Sequence, residues 1–120
     1  MVWRIGLLGA SRIAPPAVIA PAKDNPDFEV TVVAARDASR ARAYSDEHGI
    51  AGIAASYAEL VGRDDVDVIY NALPPAGHLE WTIAALEAGK AVLCEKPFSM
   101  DAGQARQMTE AAERTGGVLM

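Results

Sequence analysis

Cysteine is almost missing from this sequence. The single residue, Cys94, excludes an intrachain disulfide framework and a multi-cysteine metal centre. Positive charge is also in deficit. Lys+Arg number 11 against 16 Asp+Glu, for a net charge of -5 and a pI of about 4.9. That balance excludes a non-specific nucleic-acid binder, which needs a basic footprint. A small anionic ligand held by a few local donors stays open. No apolar run is long enough to span a bilayer, so no membrane partner is expected. Met1-Val2-Trp3-Arg4 leads straight into a strand-like run, without the basic and apolar regions of a signal peptide. The expected compartment is therefore cytoplasmic. Internal repeats, low-complexity tracts and linkers are absent too. The 120 residues, 51% apolar and 22% charged, fit one globular domain.

Short, nearly continuous apolar runs are present: Ile5-Gly6-Leu7-Leu8, Val30 to Ala35, Val66 to Tyr70 and Ala91 to Cys94. Such runs suit strands buried on both faces of a parallel sheet. Strands are expected at 3–8, 28–35, near 53–55, 66–70 and 91–94, with the start of another at Val118-Leu119-Met120. Between them fall helices at 12–24, 39–48, 77–88 and 101–115, and a helical turn at 57–62. Leu79, Ile83 and Leu86 share one helical face, with Trp81 off it. Gly49, Gly89 and Gly116-Gly117 are placed to end helices, and Asp101 with Gln104 resembles a capping box. Alternating strands and helices imply right-handed crossovers and a doubly wound, mostly parallel α/β sheet of Rossmann-like form. The ending in a three-residue strand predicts that the polypeptide is a fragment of a longer one.

The first turn reads Gly6-Leu7-Leu8-Gly9-Ala10-Ser11-Arg12-Ile13-Ala14. Gly9, Ser11 and Ala14 fall on the three positions of the dinucleotide fingerprint G-x-G-x-x-G/A, between a buried strand and a helix. Ser11 stands in for the second glycine, and its hydroxyl can donate to a phosphate oxygen. Helix-start amides supply the remaining donors. A plain strand–helix turn with Ser11 as an N-cap fits the same residues. Pro15-Pro16 disfavours the α conformation at Ala14 and Pro15, so the helix is expected to start late or distorted.

The second strand ends in Ala34-Ala35-Arg36-Asp37-Ala38-Ser39-Arg40. An acidic residue at this point reads the ribose hydroxyls of NAD, whereas an arginine accommodates the 2′-phosphate of NADP. Ala35 is neutral there, and Arg36 and Arg40 follow, so NADP is the predicted cofactor. NAD is the alternative if Asp37, not Arg36, faces the ribose. Farther on, Asn71, Leu73, Pro74 and His78 are expected to line the crevice beyond the fourth strand; for His78, a helix-start residue bonded to backbone fits equally. Glu95-Lys96-Pro97 follows the fifth strand at the same rim. Lys96 near an oxidised, cationic nicotinamide would have a lowered pKa, which suits proton exchange with a substrate hydroxyl or carbonyl. Glu95 could orient Lys96 or touch the ribose. Cys94 reads as a small buried hydrophobe.

Taken together, the Gly-x-x-Gly-x-Ser-x-Ile-Ala turn, Ala-Ala-Arg-Asp, Pro-Pro-x-x-His-x-Glu-Trp and Ala-Gly-Lys-Ala-Val-Leu-Cys-Glu-Lys-Pro resemble the glucose–fructose oxidoreductase/inositol dehydrogenase/MocA (Gfo/Idh/MocA) family. They look closest to its dimeric dihydrodiol dehydrogenase/NADP-xylose dehydrogenase branch. The resemblance implies an NAD(P)-dependent oxidoreductase acting on a sugar, cyclitol or related diol. It implies Lys96 as the catalytic lysine, and Gly9, Ser11, Arg12, Ile13, Arg36, Asn71, Leu73, His78 and Glu95 as cofactor contacts. It also implies a C-terminal α/β domain carrying substrate contacts and a homo-oligomer interface, with no counterpart in these 120 residues. The isolated chain is expected to bind cofactor without turnover. A stand-alone or degenerate dinucleotide-binding module, and a Rossmann-like fold for another nucleotide, remain alternatives at this point.

Overall fold

Successive side chains of a strand point to opposite faces of its sheet, and here helices cover both. The computed structural model describes residues 1–120. Strands β1 (Trp3–Leu8), β2 (Phe28–Ala34), β3 (Gly52–Ile53), β4 (Val68–Asn71) and β5 (Ala91–Cys94) form one sheet in the order β3-β2-β1-β4-β5. Every pairing is parallel. The helices are α1 (Ala20–Lys23), α2 (Ala38–His48), α3 (Tyr57–Val61), α4 (His78–Glu87) and α5 (Ala102–Thr115). The chain winds outward from β1 to β3, then restarts at β4 on the other side of β1. The β1/β4 boundary is thus the switch point, beyond whose carboxyl ends a ligand crevice opens. The final apolar residues add a bridge to the free edge of β5: the Val92 N–H donates to Val118 O and the Met120 N–H to Val92 O, both at 2.9 Å.

Ile5 and Leu7 of β1, Val33 of β2 and Tyr70 of β4 enter one core with Val18, Ile19 and Tyr44. Leu8, Val32, Ala34 and Ile69 enter the other with Leu60 of α3, Ala85 and Leu86 of α4 and Ala111 of α5. This two-sided burial explains why the strands read as unbroken apolar runs. Gly6 lets α3 approach β1: a Cβ at this position would meet Leu60 Cδ2 at 2.7 Å. At the opposite end from the crevice, Arg4 grips Asp67 through Nε–Oδ2 and Nη2–Oδ1 contacts of 3.0 Å each. No helix is long and apolar enough to cross a membrane.

Local signals set the helix ends. Asp37, Ser56 and Asp101 cap α2, α3 and α5 by accepting the N–H groups of Arg40, Glu59 and Gln104. Gly49, Gly89 and Gly116 take positive φ just past helix ends, where the reading placed stops.

Two expectations are corrected. Residues 12–24 do not form one α-helix. A π-helical turn spans Pro15–Ile19, in which the Ala20 N–H reaches back five residues to Pro15 O. Prolines at 15, 16 and 21 lack the N–H groups that would enforce the α register. Ala14 nevertheless keeps α-helical angles, φ -60° and ψ -39°. The buried face of α4 also differs from the expected stripe. It runs through His78, Thr82, Ala85 and Leu86, while Trp81 is half-buried and packs edge-on against Tyr57 at 5.6 Å. Two polar residues occupy that face because each finds a buried partner, described below.

Candidate functional site

Gly9 turns the chain out of β1. Its N–H stays with the sheet, donating to Ala34 O at 2.8 Å. Its φ of +97° is unfavourable for any L side chain, and a Cβ would meet Leu73 Cδ2 at 3.3 Å and Ala72 O at 3.4 Å. Glycine therefore allows the turn after β1 to lie against the loop after β4. The Ser11 Oγ accepts the Ala14 N–H at 3.2 Å just ahead of the helical segment, which leaves the hydroxyl proton available. From α2, the Tyr44 hydroxyl donates to Ser11 O at 2.7 Å and pins the turn. The backbone N–H groups of Ala10, Ser11, Arg12 and Ile13 have no acceptor within the protein. Consecutive unpaired amides opening a helical segment fit an anion.

Arg36 and Arg40 stand beyond β2. Both are exposed, and neither guanidinium makes a hydrogen bond or ion pair with the protein. Asp37 between them is committed to its cap. Its Oδ1 accepts the Ser39 hydroxyl at 2.6 Å and the Arg40 N–H at 2.9 Å, bonds that hold the carboxyl below its ordinary pKa.

At the end of β4, Asn71 is fully buried. Its Nδ2 donates to Thr82 Oγ1 at 3.1 Å, and its Oδ1 accepts the Leu73 N–H at 3.2 Å. His78 is buried as well. Nε2 lies 2.7 Å from Leu73 O, and Nδ1 lies 2.9 Å from Pro97 O. Both side chains brace loops from behind. They do not face the crevice, which corrects the expectation that they line it; their polar atoms are consumed by protein partners. Arg12 is exposed between Ser11 and Ile13 and also lies outside the cleft lining.

Beyond β5, the Glu95 N–H donates to Asn71 O at 3.0 Å, which extends the sheet by one rung. Glu95 Oε1 accepts the Lys96 N–H at 3.1 Å, and Oε2 accepts the Tyr70 hydroxyl. The Tyr70 bond, then the backbone bond, holds the Glu95 carboxyl below its ordinary range; burial and the adjacent carboxylate push the Tyr70 phenol up. Cys94 is buried, and burial raises its thiol, so it lacks thiolate character.

These rims enclose one open cleft of about 650 Å³, within the ~300–1,000 Å³ usual for small-molecule sites. Of the sequence-selected residues, Gly9, Ser11, Ile13, Arg36, Arg40, Leu73, Pro74, Glu95 and Lys96 line it. Ala10, Ala72 and Tyr57 line it as well, and the sequence reading missed them. Ala10 and Ala72 carry no chemical signal. Tyr57 was hidden in a short helical turn whose position over the cleft depends on α3 packing on Gly6. A groove of about 390 Å³ at the amino ends of β1 and β2 lies away from every such rim.

Comparison with known proteins agrees with this geometry. Residues 3–120 match the family described as an oxidoreductase family with an NAD-binding Rossmann fold. The chain is 44% identical over 116 residues to a 1,5-anhydro-D-fructose reductase of Ensifer adhaerens, covering 97% of this chain and 34% of that protein. It is 37% identical over 115 residues to D-xylose 1-dehydrogenase (NADP(+)) 2 of Haloferax volcanii, covering 96% and 35%. Among solved structures, KijD10, a 3-ketoreductase from Actinomadura kijaniata in complex with NADP and TDP-benzene, superposes with a TM-score of 0.91 at 37% identity. That match covers 100% of this chain and 37% of the other. The chain thus spans about a third of the length of these relatives.

Proposed function

Because this chain belongs to the Gfo/Idh/MocA oxidoreductase family, we propose that it is the NADP-binding part of an enzyme acting on a sugar, cyclitol or related diol. The observation that carries this reading is convergence. Unpaired amides after β1, two unpaired guanidinium groups after β2 and the Lys96 side chain after β5 meet around one cleft. Relatives named for NADP-dependent sugar and inositol dehydrogenation support the cofactor and substrate class.

The residues present fit the dinucleotide. The amides of Ala10 to Ile13 and the Ser11 hydroxyl hold the pyrophosphate, and Gly9 allows the tight turn that presents them. Arg36 and Arg40 grip the 2′-phosphate, since a planar guanidinium matches phosphate geometry and Asp37 is engaged elsewhere. Leu73 and Pro74 present an apolar wall that offers few competing donors. The bound nicotinamide supplies or accepts the hydride. Lys96 moves a proton at the substrate oxygen, which balances charge as the carbinol and carbonyl interconvert. Substrate contacts and the second catalytic group come from a C-terminal domain outside these 120 residues, which also carries the oligomer interface.

The test is Lys96→Met in the full-length polypeptide. NADPH affinity, read by fluorescence titration, is expected to stay within about threefold while turnover falls about 10²–10⁴-fold. Unchanged turnover removes Lys96 from the mechanism.

A further inference from the structure

Glu95 and Lys96 are neighbours in sequence and line the same cleft, yet they do not pair. The Lys96 ammonium makes no hydrogen bond and no ion pair anywhere in the protein. The cause lies on the far side of Glu95. Tyr70, on β4, is 1% exposed and packs in the core with Leu7, Val33 and Tyr44. Its hydroxyl is the one polar atom of that side chain, and it donates to Glu95 Oε2. The second carboxylate oxygen takes the Lys96 backbone N–H at 3.1 Å. The Glu95 backbone is itself fixed by its 3.0 Å bond to Asn71 O. Backbone and both oxygens are thus held away from the lysine side chain.

We propose that the buried Tyr70 hydroxyl is a positioning group that ties down the Glu95 carboxylate and so keeps the Lys96 ammonium unpaired for substrate. This rests on the proposed role of Lys96 and adds to it a residue outside the cleft lining. The other titratable groups nearby do not replace Tyr70. His78 on α4 has both ring nitrogens against the carbonyls of Leu73, Pro97 and Phe98. Cys94 directs its thiol to the carbonyls of Glu95 and Phe98. Tyr44 beneath Tyr70 is bonded to Ser11 O. Arg36 and Arg40, which share the cleft, make no ion pair with Glu95. Removing the Tyr70 hydroxyl therefore frees one Glu95 oxygen beside Lys96, the adjacent residue in the chain and an unpaired donor in the same cleft.

The experiment reads the lysine directly and needs no substrate. Full-length protein without cofactor is treated with N-hydroxysuccinimidyl acetate, and acetylation of Lys96 is followed by peptide mass spectrometry, with exposed Lys23 as internal reference. In Tyr70→Phe the Lys96 rate is expected to fall about two- to fivefold relative to Lys23, the range an exposed ion pair gives. Adding Glu95→Gln to that variant restores the parental rate, which a general loosening of the fold would not do. Glu95→Gln alone leaves the rate unchanged, because the carboxylate is not on the lysine to begin with. An unchanged rate in Tyr70→Phe, a slowed rate that Glu95→Gln does not restore, or a faster rate in Glu95→Gln alone overturns the proposal. If Tyr70→Phe does not fold, the same comparison is made with Tyr70→Met, in which a slowed Lys96 rate is again expected and an unchanged one overturns the proposal. A parallel NADPH titration of the parent separates this from failure of the cofactor assignment, since labelling is read without cofactor.

Discussion

Arg36→Ala is expected to weaken NADPH binding and leave NADH binding alone. The guanidinium is exposed and has no partner in the protein, so its removal breaks nothing in the fold and should change stability by less than about 0.5 kcal/mol. Its proposed work is done only on the 2′-phosphate. A hydrogen bond to a charged group contributes about 1.5–3 kcal/mol. An exposed arm belongs at the low end, and Arg40 on the next helical turn retains part of the field. A loss of about 1.5–2 kcal/mol corresponds to roughly 10–30-fold in Kd. The assay is fluorescence titration of NADPH and NADH against parent and variant at fixed ionic strength, because phosphate contacts are screened by salt. The NADP assignment is refuted if the parent binds NADH as tightly as NADPH and Arg36→Ala changes neither. Equal loss of both cofactors would place Arg36 on a part of the dinucleotide that they share.

Gly9→Ala forces a methyl-bearing residue to φ +97° and puts it 3.3 Å from Leu73 Cδ2; a cost of about 1–3 kcal/mol is expected in urea unfolding, with a larger loss of NADPH affinity because the turn must shift. Asp67 is held at a pKa of about 2, chiefly by the Arg4 side chain and backbone N–H. A depressed carboxylate stabilises the fold above its unfolded pKa, and that contribution is lost as pH falls from about 4 toward 2. Asp67→Asn should therefore cost about 1–2 kcal/mol at pH 7 after allowance for the partly exposed pair, and the difference from the parent should shrink in melts as pH falls from about 4 through 2. Thr31 Oγ1 is buried without a partner, so Thr31→Val is expected to be neutral or to stabilise by about 1 kcal/mol in the same melts; a clear destabilisation would mean that the hydroxyl has a partner in solution.

Element order and most of the helix punctuation are local properties of the residues. Caps at Asp37 and Asp101 and positive-φ glycines at 49, 89 and 116 act within a few residues of themselves, so local chemistry announces them. Unbroken apolar runs announced a sheet covered on both faces. Gly9, Ser11, Arg36 and Lys96 were legible as neighbours around one cleft because each follows a strand that a parallel sheet must point the same way. What those loops do to one another depends on how the elements pack. Asn71 and His78 sit at the same rim by sequence position, yet both turn inward, because Thr82 and the carbonyls of Leu73 and Pro97 wait there and a buried polar group takes the partner it finds. Tyr57 enters the cleft only because Gly6 admits α3. Tyr70 reaches Glu95 across 25 positions of sequence because β4 and β5 are adjacent. Such pairings depend on distances that no local pattern of residues encodes.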